Sequence, residues 1–193
     1  MPDIPRAEIV LGVLHDVSNS ITSLSGAART LVEAGDRMDG PLRGELGELV
    51  LRQVTQLCWL TDAMRGICDE APRAGADAVD TAYLVRSAAA ITGATVKVDG
   101  SASFSGDFER IRLGIEALLD AVARTDSVIS LDAGGRTLIV RSGPVDLSFG
   151  GVRWRLALAH RLLGEAGIRL SVEPDNGATR CVAEFPKPNV IRL

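Results

Sequence analysis

The sequence predicts an α+β fold in two parts: an N-terminal antiparallel helical hairpin that dimerises into a four-helix bundle, followed by a mixed α/β domain. Three observations carry this expectation. Apolar residues recur at helical spacing over two long segments, a cluster of helix breakers separates those segments, and short helical and alternating stretches take over beyond them. The 193 residues are enough for two small domains. Their expected bounds are 1–71 for the hairpin and 76–193 for the α/β part.

From Ala7 to about Ala34, Val10, Leu14, Val17, Ile21, Leu24, Ala28 and Leu31 recur at steps of four and three, as one stripe of a helix does. Gly35, Asp36, Asp39, Gly40 and Pro41 interrupt the period, and Leu42, Leu46, Leu49, Val50, Val54, Leu57, Leu60, Met64 and Ile67 restart it. Helices joined by so short a turn lie antiparallel. One hairpin cannot shield two apolar stripes from water, so a second copy is expected to complete the bundle as a homodimer.

Pro72 and Gly75 read as a linker. Beyond them, Tyr83–Ile91 reads as a helix, Thr95–Val98 as a strand and Phe108–Thr125 as a helix. Strands are expected at Ser127–Leu131, Thr137–Arg141, Leu170–Glu173 and Arg180–Phe185, with a helix at Val152–Ala166. Gly134-Gly135 signals a hairpin between the first two of these strands. Few crossovers join the strands, which suggests helices covering one face of a sheet.

Composition excludes several classes. With 46% apolar and 24% charged residues the chain is not globally disordered. Aromatics are only 4%, so Ala, Leu, Val and Ile must build the core. A net charge of −4 without a basic cluster argues against nucleic acid. Cys58, Cys68 and Cys181 lack metal-ligand spacing and suit a reducing compartment. Asp3, Arg6 and Glu8 interrupt any signal-peptide pattern, and no stretch reaches the roughly 18 apolar residues of a membrane span. The expectation is a cytoplasmic protein with no membrane association.

The chemistry concentrates at His15-Asp16-Val17-Ser18-Asn19. At about 100° per residue, His15 lies roughly 150° from the centre of the apolar arc, with Asn19 one turn on beside it. A lone exposed histidine is ordinarily a surface residue of no consequence; its neighbours here change that. A neutral imidazole has one free ring nitrogen that can take a phosphoryl group from an acyl phosphate. The adjacent carboxylate of Asp16 can hold the other N–H, and the Asn19 amide can orient a water or a phosphoryl oxygen.

His15 to Asn19 resembles the phospho-acceptor box of two-component histidine kinases, a family with a dimerising helical hairpin and a following ATP-binding α/β domain. The resemblance extends along the chain. Val79-Asp80-Thr81-Ala82-Tyr83-Leu84 is similar to the opening of that domain, and Asp107-Phe108-Glu109-Arg110-Ile111 to the approach to its asparagine-bearing helix. Gly150–Ala166, Ile168–Glu173 and Val182–Pro186 resemble the last glycine box, helix and closing strands.

The departures bear on function. Where the family places asparagines that hold Mg²⁺ and phosphate, this chain has Ala117 and Ala121. Where it places the Asp that accepts the adenine amino group, this chain has Arg141-Ser142-Gly143-Pro144. Arg153 and Arg155 stand where glycines let backbone N–H groups approach phosphates. The resemblance therefore implies a degenerate ATPase-like domain with no cofactor, neither ATP nor metal, of its own. Arg153 and Arg155 as an anion site is a weaker alternative, and His160 reads as an ordinary packed or surface histidine.

A phospho-acceptor without ATP must take phosphate from another protein. The resemblance thus implies a dimeric histidine phosphotransferase: His15, Asp16 and Asn19 act as the catalytic group, and response-regulator receiver domains, which carry their own Mg²⁺ and Lys, are the partners. That no sensor domain precedes the hairpin suits an intermediate carrier. The expected docking face surrounds His15, with Val13 and Val17 nearby and the start of the second helix across the groove. The alternatives are a non-catalytic pseudokinase that docks receivers, a true histidine kinase with an aberrant ATP site, and a phosphatase resting on Asn19.

Overall fold

In a computed structural model, the structure describes residues 4–68, 77–92, 94–123 and 127–187. The linker expected at Pro72 and Gly75, and Thr125 at the end of one expected helix, lie outside the described residues. The chain divides into two compact units, Arg6–Cys68 and a second made of Asp69–Leu193 with Met1–Pro5.

The first unit is a hairpin of two 29-residue helices, α1 (Arg6–Ala34) and α2 (Gly40–Cys68), joined through a single 3₁₀ turn at Gly35–Arg37. Asp39 caps α2: its Oδ1 accepts the Leu42 N–H at 2.9 Å, satisfying one of the amides a helix start leaves orphaned. Pro41 fits the first turn because its missing N–H would have no partner there. The Arg43 guanidinium donates to the Gly35 carbonyl and ties the turn to α2.

The packed face of α1 is not the stripe expected from the sequence. Ile9, Val13, Ser20 and Ala27 are its buried residues. Leu14, Ile21 and Val32, 50%, 52% and 86% exposed, lie on a second face about 120° round the helix at 100° per residue. The sequence stripe merges the edges of two apolar faces, of which only the first is buried among the described residues. On α2 the buried set is Leu60, Ala63, Gly66 and Ile67, while Leu51 and Val54 remain exposed.

The second unit runs β1 (Asp77–Asp80), α3 (Thr81–Thr92), β2 (Val96–Val98), β3 (Ser103–Gly106), α4 (Phe108–Val122), β4 (Val128–Leu131), β5 (Thr137–Ser142), α5 (Gly150–Glu165), β6 (Arg169–Asp175) and β7 (Ala178–Glu184). The sheet order is β2-β4-β5-β7-β6, and β1 and β3 form a separate two-stranded ribbon. Only the β2–β4 pair is parallel within that five-stranded sheet. Every helix and strand expected here is present within a few residues of its expected bounds. The β1–β3 ribbon is an addition, since four-residue strands such as Ser103–Gly106 carry too little β-branched alternation to announce themselves.

Register gathers most of the buried apolar side chains of the sheet on one face, with the half-buried Ile139 and the buried Val182 on the other. Ile129 opposes Val140, Leu131 opposes Leu138, and these oppose Cys181 and Ala183 in turn. All six are buried. The other face carries Val128 opposite Arg141, both exposed. Helices therefore cover one side, where α4 packs against α5, with Gly114 of α4 seated against Leu162 and Leu163 of α5. Burial of a Leu or Ile side chain contributes about 1.5–3 kcal/mol, so this alanine- and leucine-rich seam compensates for the scarcity of aromatics.

Side chains fix the element ends. Asp80 caps α3 by accepting the Tyr83 N–H at 2.8 Å and the Ser101 hydroxyl at 2.7 Å; those bonds hold its carboxyl below the ordinary carboxylate range. Asp107 caps α4 through the Arg110 N–H at 3.1 Å. In the β4–β5 turn, Gly135 takes φ of +64°, and a Cβ there would meet the Ser101 carbonyl carbon at 2.2 Å, so only glycine fits.

Candidate functional site

His15 sits in the third turn of α1, and its side chain is 74% exposed while that of Asp16 is 20% exposed. The helix has this orientation because Ile9, Val13 and Ser20 turn inward, leaving His15 and Asn19 toward water. His15 Nδ1 lies 3.1 Å from Asp16 Oδ1 and 3.2 Å from Asn19 Nδ2. The three side chains named from the sequence thus meet at one ring nitrogen. Because both contacts fall on Nδ1, the ring reaches outward with Nε2. A tautomer with its proton on Nδ1 donates to Asp16 and leaves the Nε2 lone pair bare.

Two expectations about the surroundings need correction. Val13 is fully buried, so it cannot line a docking face, and only Val17 keeps partial exposure. Nor is the start of α2 beside His15 within one hairpin. His15 lies nine residues after Arg6, and in an antiparallel pair of equal helices that level falls nine residues before Cys68, near Trp59 in the second half of α2.

The residues of the second unit that the sequence likens to a nucleotide site lie on α4, about the end of β5 and at the start of α5. Ala117 and Ala121 on α4 have 0% and 1% exposure, so they offer neither a ligand atom nor a surface. Arg155 on α5 pairs with Asp120 on α4, donates to the Gly151 carbonyl at 2.9 Å, and holds its guanidinium 4.3 Å over the Trp154 ring. These contacts absorb Arg155, which the sequence left open as an anion contact. Only the seven residues 143–149 separate β5 from α5. They are pinned by Asp146, whose carboxyl the Ser148 hydroxyl and N–H hold below the ordinary range, and by the Val145 N–H donating to Thr179.

Other singled-out residues are unremarkable. His160 is exposed on α5. Cys181 is buried in the sheet and its thiol is pushed up to about 12 by desolvation, so it stays protonated and inert. Cys58 and Cys68 are exposed. Among the described residues no cluster of His, Cys, Asp and Glu can hold a metal, and no helix is long and apolar enough to cross a membrane. Sequence reasoning missed the Asp120–Arg155 pair, because 35 residues separate the partners and no local spacing reports such a contact.

No protein-family model matches the sequence, and no curated protein matches it. Among solved structures, the Acinetobacter baumannii histidine kinase AdeS is similar with a TM-score of 0.60 and 14% identity, covering 91% of this chain and 98% of that one. A structure described as a bacterial phosphotransferase is similar with a TM-score of 0.53 and 12% identity, covering 92% and 94%. Full-length ShkA in complex with AMPPNP gives a TM-score of 0.51 and 15% identity over 95% of this chain and 46% of that one. These likenesses run through both units of the chain. A helical hairpin followed by an α/β sandwich is the fold of a histidine-kinase core, and this chain has that fold.

Proposed function

We propose that this chain is a histidine phosphotransferase of a bacterial two-component phosphorelay, taking phosphate from the aspartyl phosphate of one response-regulator receiver domain on His15 and passing it to another. The observation that carries the reading is an imidazole 74% exposed whose Nδ1 lies 3.1 Å from a carboxylate. In the transfer, the Nε2 lone pair attacks phosphorus; the N–P bond forms as the P–O bond to the receiver's carboxylate breaks, and that carboxylate leaves with the electron pair. Nδ1 keeps its proton, and the positive charge developing on the ring faces Asp16. The rest is in-line positioning, with Mg²⁺ and Lys supplied by the receiver.

The second unit keeps the sandwich without a nucleotide role in this reading. Buried Ala117 and Ala121 and the self-satisfied Arg155 support that, so phosphate comes from a protein and neither ATP nor a resident metal is needed. The uncovered face of Leu14, Ile21 and Val32 supports a homodimer whose four helices form one bundle. Receivers and their phosphorelays belong to the cytoplasm, where the protein is placed by this reading. Incubation with a labelled phospho-receiver tests it: label moves to the chain, and His15→Ala abolishes that movement. Survival of receiver binding without any transfer would instead identify a docking pseudokinase, and labelling by ATP and Mg²⁺ alone a kinase.

A further inference from the structure

We infer that Asn19 is a positioning residue that sets the tautomer of His15, and with it the fraction of chains whose Nε2 is ready to accept a phosphoryl group; this rests on the phosphotransfer reading and deepens it. One ring nitrogen, His15 Nδ1, has two partners. Asp16 Oδ1, 3.1 Å from Nδ1, can only accept. Asn19 Nδ2, 3.2 Å from the same Nδ1, can only donate.

A ring nitrogen offers one in-plane position, which is either an N–H or a lone pair. Donation to Asp16 requires the proton on Nδ1 and leaves the Nε2 lone pair free to attack phosphorus. Donation from Asn19 requires the lone pair on Nδ1, so the proton moves to Nε2 and that nitrogen is no longer a nucleophile. The two hydrogen bonds exclude each other, and both partners come from α1 itself, one and four residues from His15.

Each bond is exposed, so neither wins by much: the weight of one ordinary hydrogen bond corresponds to about a fivefold bias. A small bias of this kind is readily overturned by a partner. A phosphoryl or carboxylate oxygen of a docked receiver that accepts from Asn19 Nδ2 draws the amide off the ring, and the proton then settles on Nδ1 opposite Asp16. Docking and nucleophilicity are thereby coupled without any movement of the helix.

The test uses the full chain with ¹⁵N-labelled histidine, reading the two ring-nitrogen shifts of His15 by NMR, together with its labelling rate by phosphoramidate, a small donor that needs no receiver. Asn19→Ala and Asn19→Asp should each raise the ratio of Nδ1–H to Nε2–H about fivefold and raise the labelling rate in step, while Asp16→Asn should lower both. An unchanged ratio in both Asn19 variants, or slower phosphoramidate labelling in them, overturns the inference. Residue 19 is solvent-exposed, and far-UV circular dichroism checks that the helix is retained. A tautomer ratio that responds in a chain that takes nothing from phospho-receivers would sink the phosphotransfer reading and leave the role of Asn19 in the ring equilibrium standing. Receiver transfer with an indifferent ratio would do the reverse.

Discussion

Arg155 on α5 and Asp120 on α4 form an ion pair across the seam between the two helices, with side chains 13% and 42% exposed. The same guanidinium lies over Trp154 and donates to the Gly151 carbonyl. Arg155 is thus a structural cross-link between the two helices. Arg155→Ala should therefore destabilise the fold by about 1–2 kcal/mol, the sum expected for a half-exposed ion pair and a cation–π contact. Urea unfolding should show a lower midpoint at an unchanged slope.

The nucleotide prediction follows from the same seam. Titration of ATP with Mg²⁺ into the intact chain should give no heat beyond dilution, because Ala117 and Ala121 on α4 bring no ligand atom and are 0% and 1% exposed. Saturable binding in the calorimeter would show that the domain keeps a nucleotide role.

The uncovered face of the hairpin makes a third prediction. Leu14→Lys with Ile21→Lys places two charges on a face that a second copy would bury, so sedimentation should shift from dimer to monomer. Val128→Lys, on the open face of the sheet and 59% exposed, should leave the oligomeric state alone. A parent that sediments as a monomer, or a double variant that still sediments as a dimer, would contradict a bundle completed through this face.

A fourth prediction concerns acid. Burial works against ionisation of Asp132, yet the N–H groups of Thr137 and Arg136, at 2.9 and 2.6 Å, hold its carboxyl below the ordinary value of 3.8. A depressed folded-state value means stability that is fully present above the ordinary carboxylate range and lost as pH falls through the folded value. Asp132→Asn should lower stability at neutral pH and lose less of what remains on acidification. Thermal melts of both proteins across pH 2 to 7, about the span of a carboxylate titration, read this directly.

The hairpin, its breaker cluster and the helices and strands of the second unit were legible because each depends on local period and turn chemistry. His15, Asp16 and Asn19 were legible together for the same reason, since helical spacing alone brings them to one face. What local pattern cannot separate is which apolar face meets which partner: Leu14 and Ile21 read as core, yet Ile9 and Val13 are the buried residues. The β1–β3 ribbon escaped because its pairing, Val79 opposite Phe104, joins short segments with little alternation. The contest between Asp16 and Asn19 for Nδ1 required atomic distances.

Whether His15 carries phosphate between receivers is decided by a three-component assay. A labelled phospho-receiver is mixed with a second, unlabelled receiver, with and without this chain. Label should reach the second receiver only when the intact chain is present, passing through an acid-labile intermediate that peptide mapping places on His15, and His15→Ala should stop it. Label that reaches the second receiver equally well through the His15→Ala chain, or an intermediate mapped to another residue, would contradict that role of His15.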